Sequence, residues 1–248
     1  MSEKMKFDKT KMYYRQPFKV NDRITIYQPS VGDIIEFGEN EFYNNVLAPF
    51  ITNPTSYRVL LWDNKKDWNK MSEFELFVML YKNIKNTELL FHNFSFEGYN
   101  PYTRTIGDKT SIVLWNKETD DIITENDYTV ISQYIRTLFN IFPKTEKVIG
   151  KYTKQEVINQ ERLKQQENEN KEETPFLLPL ISSCMNHPGF KYRISDLKDL
   201  GIFAFMDSVQ RLQIYESSIA LLHGAYGGFV DSSKIDRKEM NFMRSIDQ

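Results

Sequence analysis

The spacing of apolar positions changes from segment to segment along the chain, and each change predicts an element. Phe18 and Val20, then Ile24 and Ile26, alternate with polar residues around Asn21-Asp22, which predicts a short β-hairpin. Pro29 ends it. Ser30 with Asp33 then predicts a helix start running through Ile34, Ile35 and Phe37. Phe42, Tyr43, Val46 and Leu47 continue at helical spacing until Pro49 and Pro54. Thr55 is the expected cap of a helix through TSYRVLLWDNKK, and Ser72 with Glu75 forms a capping box ahead of Phe74, Phe77, Val78, Leu80 and Tyr81. Ser111–Trp115 has the composition of a strand, Asn116–Asp121 that of a turn, and Ile122-Ile123 that of a return strand. Thr124 with Asp127 caps a further helix carrying Tyr128, Ile131, Ile135, Leu138 and Phe139, which Pro143 ends.

After Lys144 the pattern thins. Seven basic and seven acidic residues crowd 144–173, and Val157, Ile158 and Leu163 are its only larger aliphatics after Thr153. Thr153 and Glu156 read as another capping box. Such a segment favours helix by propensity yet buries little. It reads as a solvated connecting helix or a loose linker, with a partner-binding helix as the alternative. Pro175 then opens an apolar helix through Leu180, Ile181 and Met185, Asn186–Gly189 is a turn, Ser195 is expected to cap a short helix, and Asp236 a last one holding Met240, Phe242 and Met243.

Between those two runs the longest stripe of the chain, Ile202 to Tyr226. Its apolar positions, Ile202, Phe205, Met206, Val209, Leu212, Tyr215, Ile219, Leu222 and Tyr226, are spaced mostly three or four apart. That is one face of an α-helix. The expected fold class is α+β and mostly helical, with small β-hairpin elements in an N-terminal domain (1–143), a charged helical linker (144–173) and an all-helical C-terminal module (174–248). A module of about 75 residues gains only about 3–5 kcal/mol from its own core. The stripe therefore needs a surface to cover it: the first domain, a second copy, or another protein. Phe205, Val209, Leu212, Tyr215, Ile219 and Tyr226 are the candidate partner-binding residues.

Composition narrows the classes. The chain has 248 residues, 32 basic and 34 acidic, for a formal charge of −2. That balance argues against a broad nucleic-acid-binding face. No stretch is apolar enough to span a membrane, the N-terminus lacks the apolar run of a secretory signal, and the polar first dozen residues read as a loose tail. The lone Cys184 excludes an intrachain disulfide and suits a reducing cytosol.

No metal, cofactor or catalytic residues are expected. His92, His187 and His223 are far apart, and no Cys-x-x-Cys or His-Glu-x-x-His occurs. Gly224-Ala-Tyr-Gly227-Gly228 follows a predicted helix, the wrong side for a dinucleotide loop, and reads as a C-terminal cap. Gly107–Thr110 reads as a turn rather than a phosphate loop. Cys184 has His187 three residues on, but the turn there argues against a nucleophile–base pair. Trp62 and Trp68 read as packing at a helix end, with stacking on a ligand as the alternative.

The opening FKVNDRITIYQPSVGDIIEFGE and the closing HPGFKYRISDLKDLGIFAFMDSVQRLQIYESSIALLHGAYGGFVDSSKI resemble a family of uncharacterised proteins from tailed phages and prophages of Gram-positive hosts. Their setting resembles that of tail assembly chaperones. The resemblance covers roughly 15–60 and 174–245 and carries over no catalytic or binding residue. It implies a non-enzymatic assembly factor in the host cytoplasm. Its partners would be phage tail proteins, the tape measure or the tail tube, or further copies of itself. The alternatives are a virion component such as a tail or baseplate adaptor, and an enzyme whose site the sequence does not reveal.

Overall fold

The short hairpin forms where the alternation places it. In the structure, a computed structural model describing residues 5–92, 94–106, 109–169 and 175–246, β1 (Phe18–Lys19) pairs antiparallel with β2 (Thr25–Ile26). Asn21 makes the turn: its Oδ1 accepts from the amides of Arg23 and Ile24 at 3.0 and 2.9 Å. The segment ahead of it is not a loose tail. It holds α1 (Lys9–Tyr13), capped by the Asp8 side chain and seated by buried Met12; residues 1–4 lie outside the described residues.

Three predicted helix starts form, each closed by a capping box. Ser30–Asp33 starts α2 (Val31–Phe37). The chain then runs through α3 (Glu39–Glu41), a π-helical stretch (Phe42–Leu47) and α4 (Ala48–Ile51). Next come α5 (Arg58–Asp63), α6 (Glu73–Leu80) with the Ser72–Glu75 box, and α7 (Glu88–Phe91). Thr124–Asp127 starts α8 (Glu125–Phe139), which Asn140 ends in a left-handed conformation.

Four predicted starts are corrected. Thr55 does not cap α5. The Asn53 side chain accepts from the Ser56 amide and hydroxyl and turns the chain through Pro54, and the Thr55 hydroxyl accepts from the Glu146 amide instead. Thr153 lies inside α9 (Lys151–Glu169), which begins directly after Gly150 at φ 91°. Ser195 lies inside α11 (Ile194–Leu197), where Asp196 accepts from the Arg193 amide at 2.9 Å. No helix follows Asp236 among the described residues. Ser218 and Arg211 take the carbonyls of Glu239 and Arg244 at 2.8 and 2.6 Å, and residues 235–246 form turns.

A three-stranded antiparallel sheet has the order β3 (Tyr99–Ile106), β4 (Lys109–Asn116), β5 (Asp121–Ile123). The pairing runs from Tyr99↔Asn116 to Ile106↔Lys109. β3 went unpredicted because Pro101 and a polar run hide it. Its base packs on the core through Tyr99, while Asn100–Thr105 and Thr110–Ile112 are exposed, so the ribbon projects. Gly107 and Asp108 lie outside the described residues. The fold is thus mostly helical α+β with two small sheets.

The principal core forms around α8. Tyr128, Ile131, Tyr134, Ile135, Leu138 and Phe139 meet Phe42, Phe50, Phe74 and Phe77 in one buried cluster. Each such side chain contributes about 1.5–3 kcal/mol gross. Arg136, on the same helix, is also buried: Nε and Nη2 donate to the Phe50 and Thr52 carbonyls at 3.0 and 2.7 Å, and Nη1 pairs with Glu73 at 2.9 Å. The same cluster includes Leu177 and Cys184 of α10 (Leu177–Asn186) and Ile202, Phe203, Phe205 and Met206 of α12 (Ile202–Tyr226). Backbone bonds fix that junction: Val31 N–H to Leu200 O, Gly32 N–H to Lys198 O, and Ile202 N–H to Pro29 O, at 2.9, 3.1 and 3.0 Å. The Gln28 side chain accepts from the Phe203 amide at 3.1 Å.

The charged segment is helical and has one docked side. Ile158 joins Leu61 and Trp68 in a small separate core. Around it Arg58 pairs with Glu146 and Glu161, Arg162 with Asp63, and Lys154 with Asp67. Residues 170–174 lie outside the described residues. The Lys154 hydrogen bond holds the Asp67 carboxyl below its ordinary value of 3.8. A depressed folded value means that this contribution is complete above the ordinary value and is lost as pH falls through the lower one. The protection of α9 amides, measured against their intrinsic exchange rate at each pH, should therefore fall on acidification below about pH 4, and Asp67→Asn should flatten that fall.

Candidate protein-binding surface

α12 is a 25-residue helix, about 37 Å long at 1.5 Å per residue, and its apolar stripe meets three environments in turn. At the start Phe205 is fully buried in the principal core, so it offers no surface to a partner. Val209 and Leu212 are half-buried along the edge of that core. Beyond them the helix leaves it. Tyr215 is exposed and packs edge-on to Phe242 with ring centroids 5.7 Å apart. Ile219 is half-buried, and Tyr226 at the tip is 88% exposed.

What accompanies the tip comes from the segment that folds back along it. The Phe229 and Val230 amides bond the Gly224 carbonyl at 2.9 and 3.1 Å. Gly224 itself is helical, and Gly227 and Gly228 make the cap, with Gly228 at φ 72°. This reversal leaves Phe229 (89% exposed) and Val230 on the outside within four residues of Tyr226, and Met243, also exposed, follows Phe242, which packs on Tyr215 further down the helix. Ser218, fully buried, ties the returning segment to the helix through the Glu239 carbonyl. Leu222, Ala225, Tyr226, Ile235 and Met240 line a groove of about 540 Å³ whose charged wall residue is Arg237. Exposed aromatic and aliphatic groups concentrated at one end of an anchored helix mark a surface suited to protein contact. Phe229 and Met243 were not singled out by spacing, since they lie off the stripe; the signal was a large aromatic directly after a glycine cap.

The nucleophile–base pairing weighed for Cys184 is not made. The His187 Nε2 faces Glu216 Oε1 at 3.0 Å, and its Nδ1 accepts from the Gly189 amide at 2.9 Å. Both ring nitrogens are thus engaged away from the thiol. Cys184 is buried, and burial pushes its thiol above the ordinary value. His223 sits in the last turn of α12, and His92 stacks on Tyr27 at 3.6 Å. Trp62 and Trp68 lie 6.1 Å apart at the end of α5. Among the described residues no group of His, Cys, Asp and Glu could hold a metal ion, and no helix is long and apolar enough to cross a membrane. Compared with family models, curated proteins and solved structures, the chain matches none.

Proposed function

We propose that the chain is a non-enzymatic, chaperone-like assembly factor for phage tails that acts in the host cytoplasm by covering apolar helical surface of a tail protein. The observation that carries this reading is the free end of α12, with Tyr226 in its last turn and Phe229 just past its cap almost fully exposed, while the other end of the helix is held in the core. Such a surface suits an amphipathic helix laid along it. The resemblance of 15–60 and 174–245 to the phage family supplies the partner class, the tape measure or the tail tube. Affinity capture of the tagged chain from phage-infected cells tests it. A tail protein should be recovered, and recovery of the chain alone contradicts the reading. Replacing Tyr226 and Phe229 together with serine should abolish the capture while leaving stability within about 0.5 kcal/mol per surface substitution.

A second reading, a virion component such as a tail or baseplate adaptor, draws on the projecting β3–β4 ribbon. An exposed strand edge is a template for pairing with another chain. Mass spectrometry of purified particles separates the two: an adaptor is present in them and a chaperone absent.

A further inference from the structure

Four lysines from two distant parts of the chain converge on one concavity beside the start of α9. The end of α5 and the turn after it supply Trp62, Lys65, Lys66 and Asp67, and the other wall is Gly150, Lys151 and Lys154. The space they enclose is about 560 Å³, within the range of about 300–1,000 Å³ usual for small-molecule sites. Its one carboxylate, Asp67, is engaged by Lys154 at 2.7 Å. Lys66 Nζ meets the Met79 sulfur at 3.4 Å, not an acid. Lys65 and Lys151 are exposed and have no ion-pair partner among the described residues.

The walls therefore carry four positive charges against one negative, in a chain whose total formal charge is −2. A concave wall of one sign raises the local concentration of the opposite ion. The opening turn of α9 adds a smaller contribution of the same sign. Trp62, half-buried, supplies a flat apolar flank. A compact, multiply charged anion matches three lysines free of carboxylates, and lysine holds phosphate as a point charge.

We propose that this concavity binds a phosphate-bearing small molecule, with Lys65, Lys66 and Lys151 holding the phosphates and Trp62 flanking them. The site is independent of the tail-assembly reading. Inorganic pyrophosphate and a nucleotide present the same group, and Trp62 distinguishes them.

Calorimetric titration of the full chain with pyrophosphate, with adenosine diphosphate and with a short single-stranded oligodeoxynucleotide tests it. Either phosphate compound should bind saturably. The Lys65→Ala/Lys151→Ala double variant should bind about tenfold more weakly, about 1.4 kcal/mol, with its unliganded melting temperature unchanged. Tighter binding of the nucleotide, lost in Trp62→Leu, supports the site with a nucleotide as ligand; equal affinities support it with free phosphate. No saturable binding of either compound, binding unaltered in the double variant, or binding of the oligonucleotide alone would overturn the proposal.

Discussion

Arg136→Leu is expected to lower the stability of the chain by about 3 kcal/mol, from two charged-donor hydrogen bonds lost at about 1.5 kcal/mol each. Arg136 sits in the last turn of α8 and reaches two other elements at once: the Phe50 and Thr52 carbonyls at the end of α4, and Glu73 at the start of α6. Leucine replaces its volume but none of its donors. The Thr52 carbonyl then loses its charged donor, while Phe50 O keeps only the Ser132 hydroxyl at 2.7 Å. Glu73 loses its partner but remains partly solvated, with 38% of its side chain exposed, so most of the loss comes from the carbonyls. Arg136→Lys should recover only part, since an ammonium cannot reproduce the planar fork. Thermal unfolding should show the leucine variant melting roughly 6–12 °C lower, at about 2–4 °C per kcal/mol for a chain of this size. An unchanged melting temperature would remove Arg136 from the account of the core.

Gly32→Ala is expected to cost about 1–3 kcal/mol, the range for overpacking a filled site, and to loosen α12 at its root. A Cβ on Gly32 would lie 2.5 Å from the Lys198 carbonyl oxygen, and that obstacle is backbone. Relief requires residues 198–202 to move away from α2, which breaks the bonds from Val31 and Gly32 to that segment. Gly201→Ala meets the Gln28 side-chain oxygen at 2.4 Å and Arg15 Cγ at 2.7 Å; these are side chains that can shift, so its cost should be the bond from the Phe203 amide to Gln28 rather than the backbone junction with α2. Limited proteolysis reads the difference. In Gly32→Ala, cleavage within 191–201 should accelerate, whereas cleavage of α9 should not.

The parts of the fold legible in sequence are those fixed by neighbours along the chain. The capping boxes at Ser30, Ser72 and Thr124 need only a hydroxyl, an acid three residues later and an apolar run, and all three form. Thr55, Ser195 and Asp236 carry similar local chemistry, but partners far away or in the adjoining turn claim the groups: Thr55 serves Glu146, and Ser218 holds the carbonyl beyond Asp236. β3 exists because β4 pairs with it, and its own polar residues announce nothing.

The candidate surface was half legible. One period runs the whole length of α12, so spacing cannot separate buried Phe205 from exposed Tyr226. The boundary is set by Gln28, Pro29 and Val31, some 170 residues earlier in the chain, bonding to residues 200–203. The lysine concavity was hidden for the same reason, with Lys65 and Lys66 distant in sequence from Lys151 and Lys154.

The account turns on the free end of α12 being the part of the molecule that a partner covers. Hydrogen–deuterium exchange of the chain, alone and bound to the tail protein that it captures, measures this directly. Slowed exchange across 219–230 and 240–246, with α8 unchanged, is the predicted result. Protection confined to the β3–β4 ribbon, with 219–230 exchanging as in the free chain, would contradict it.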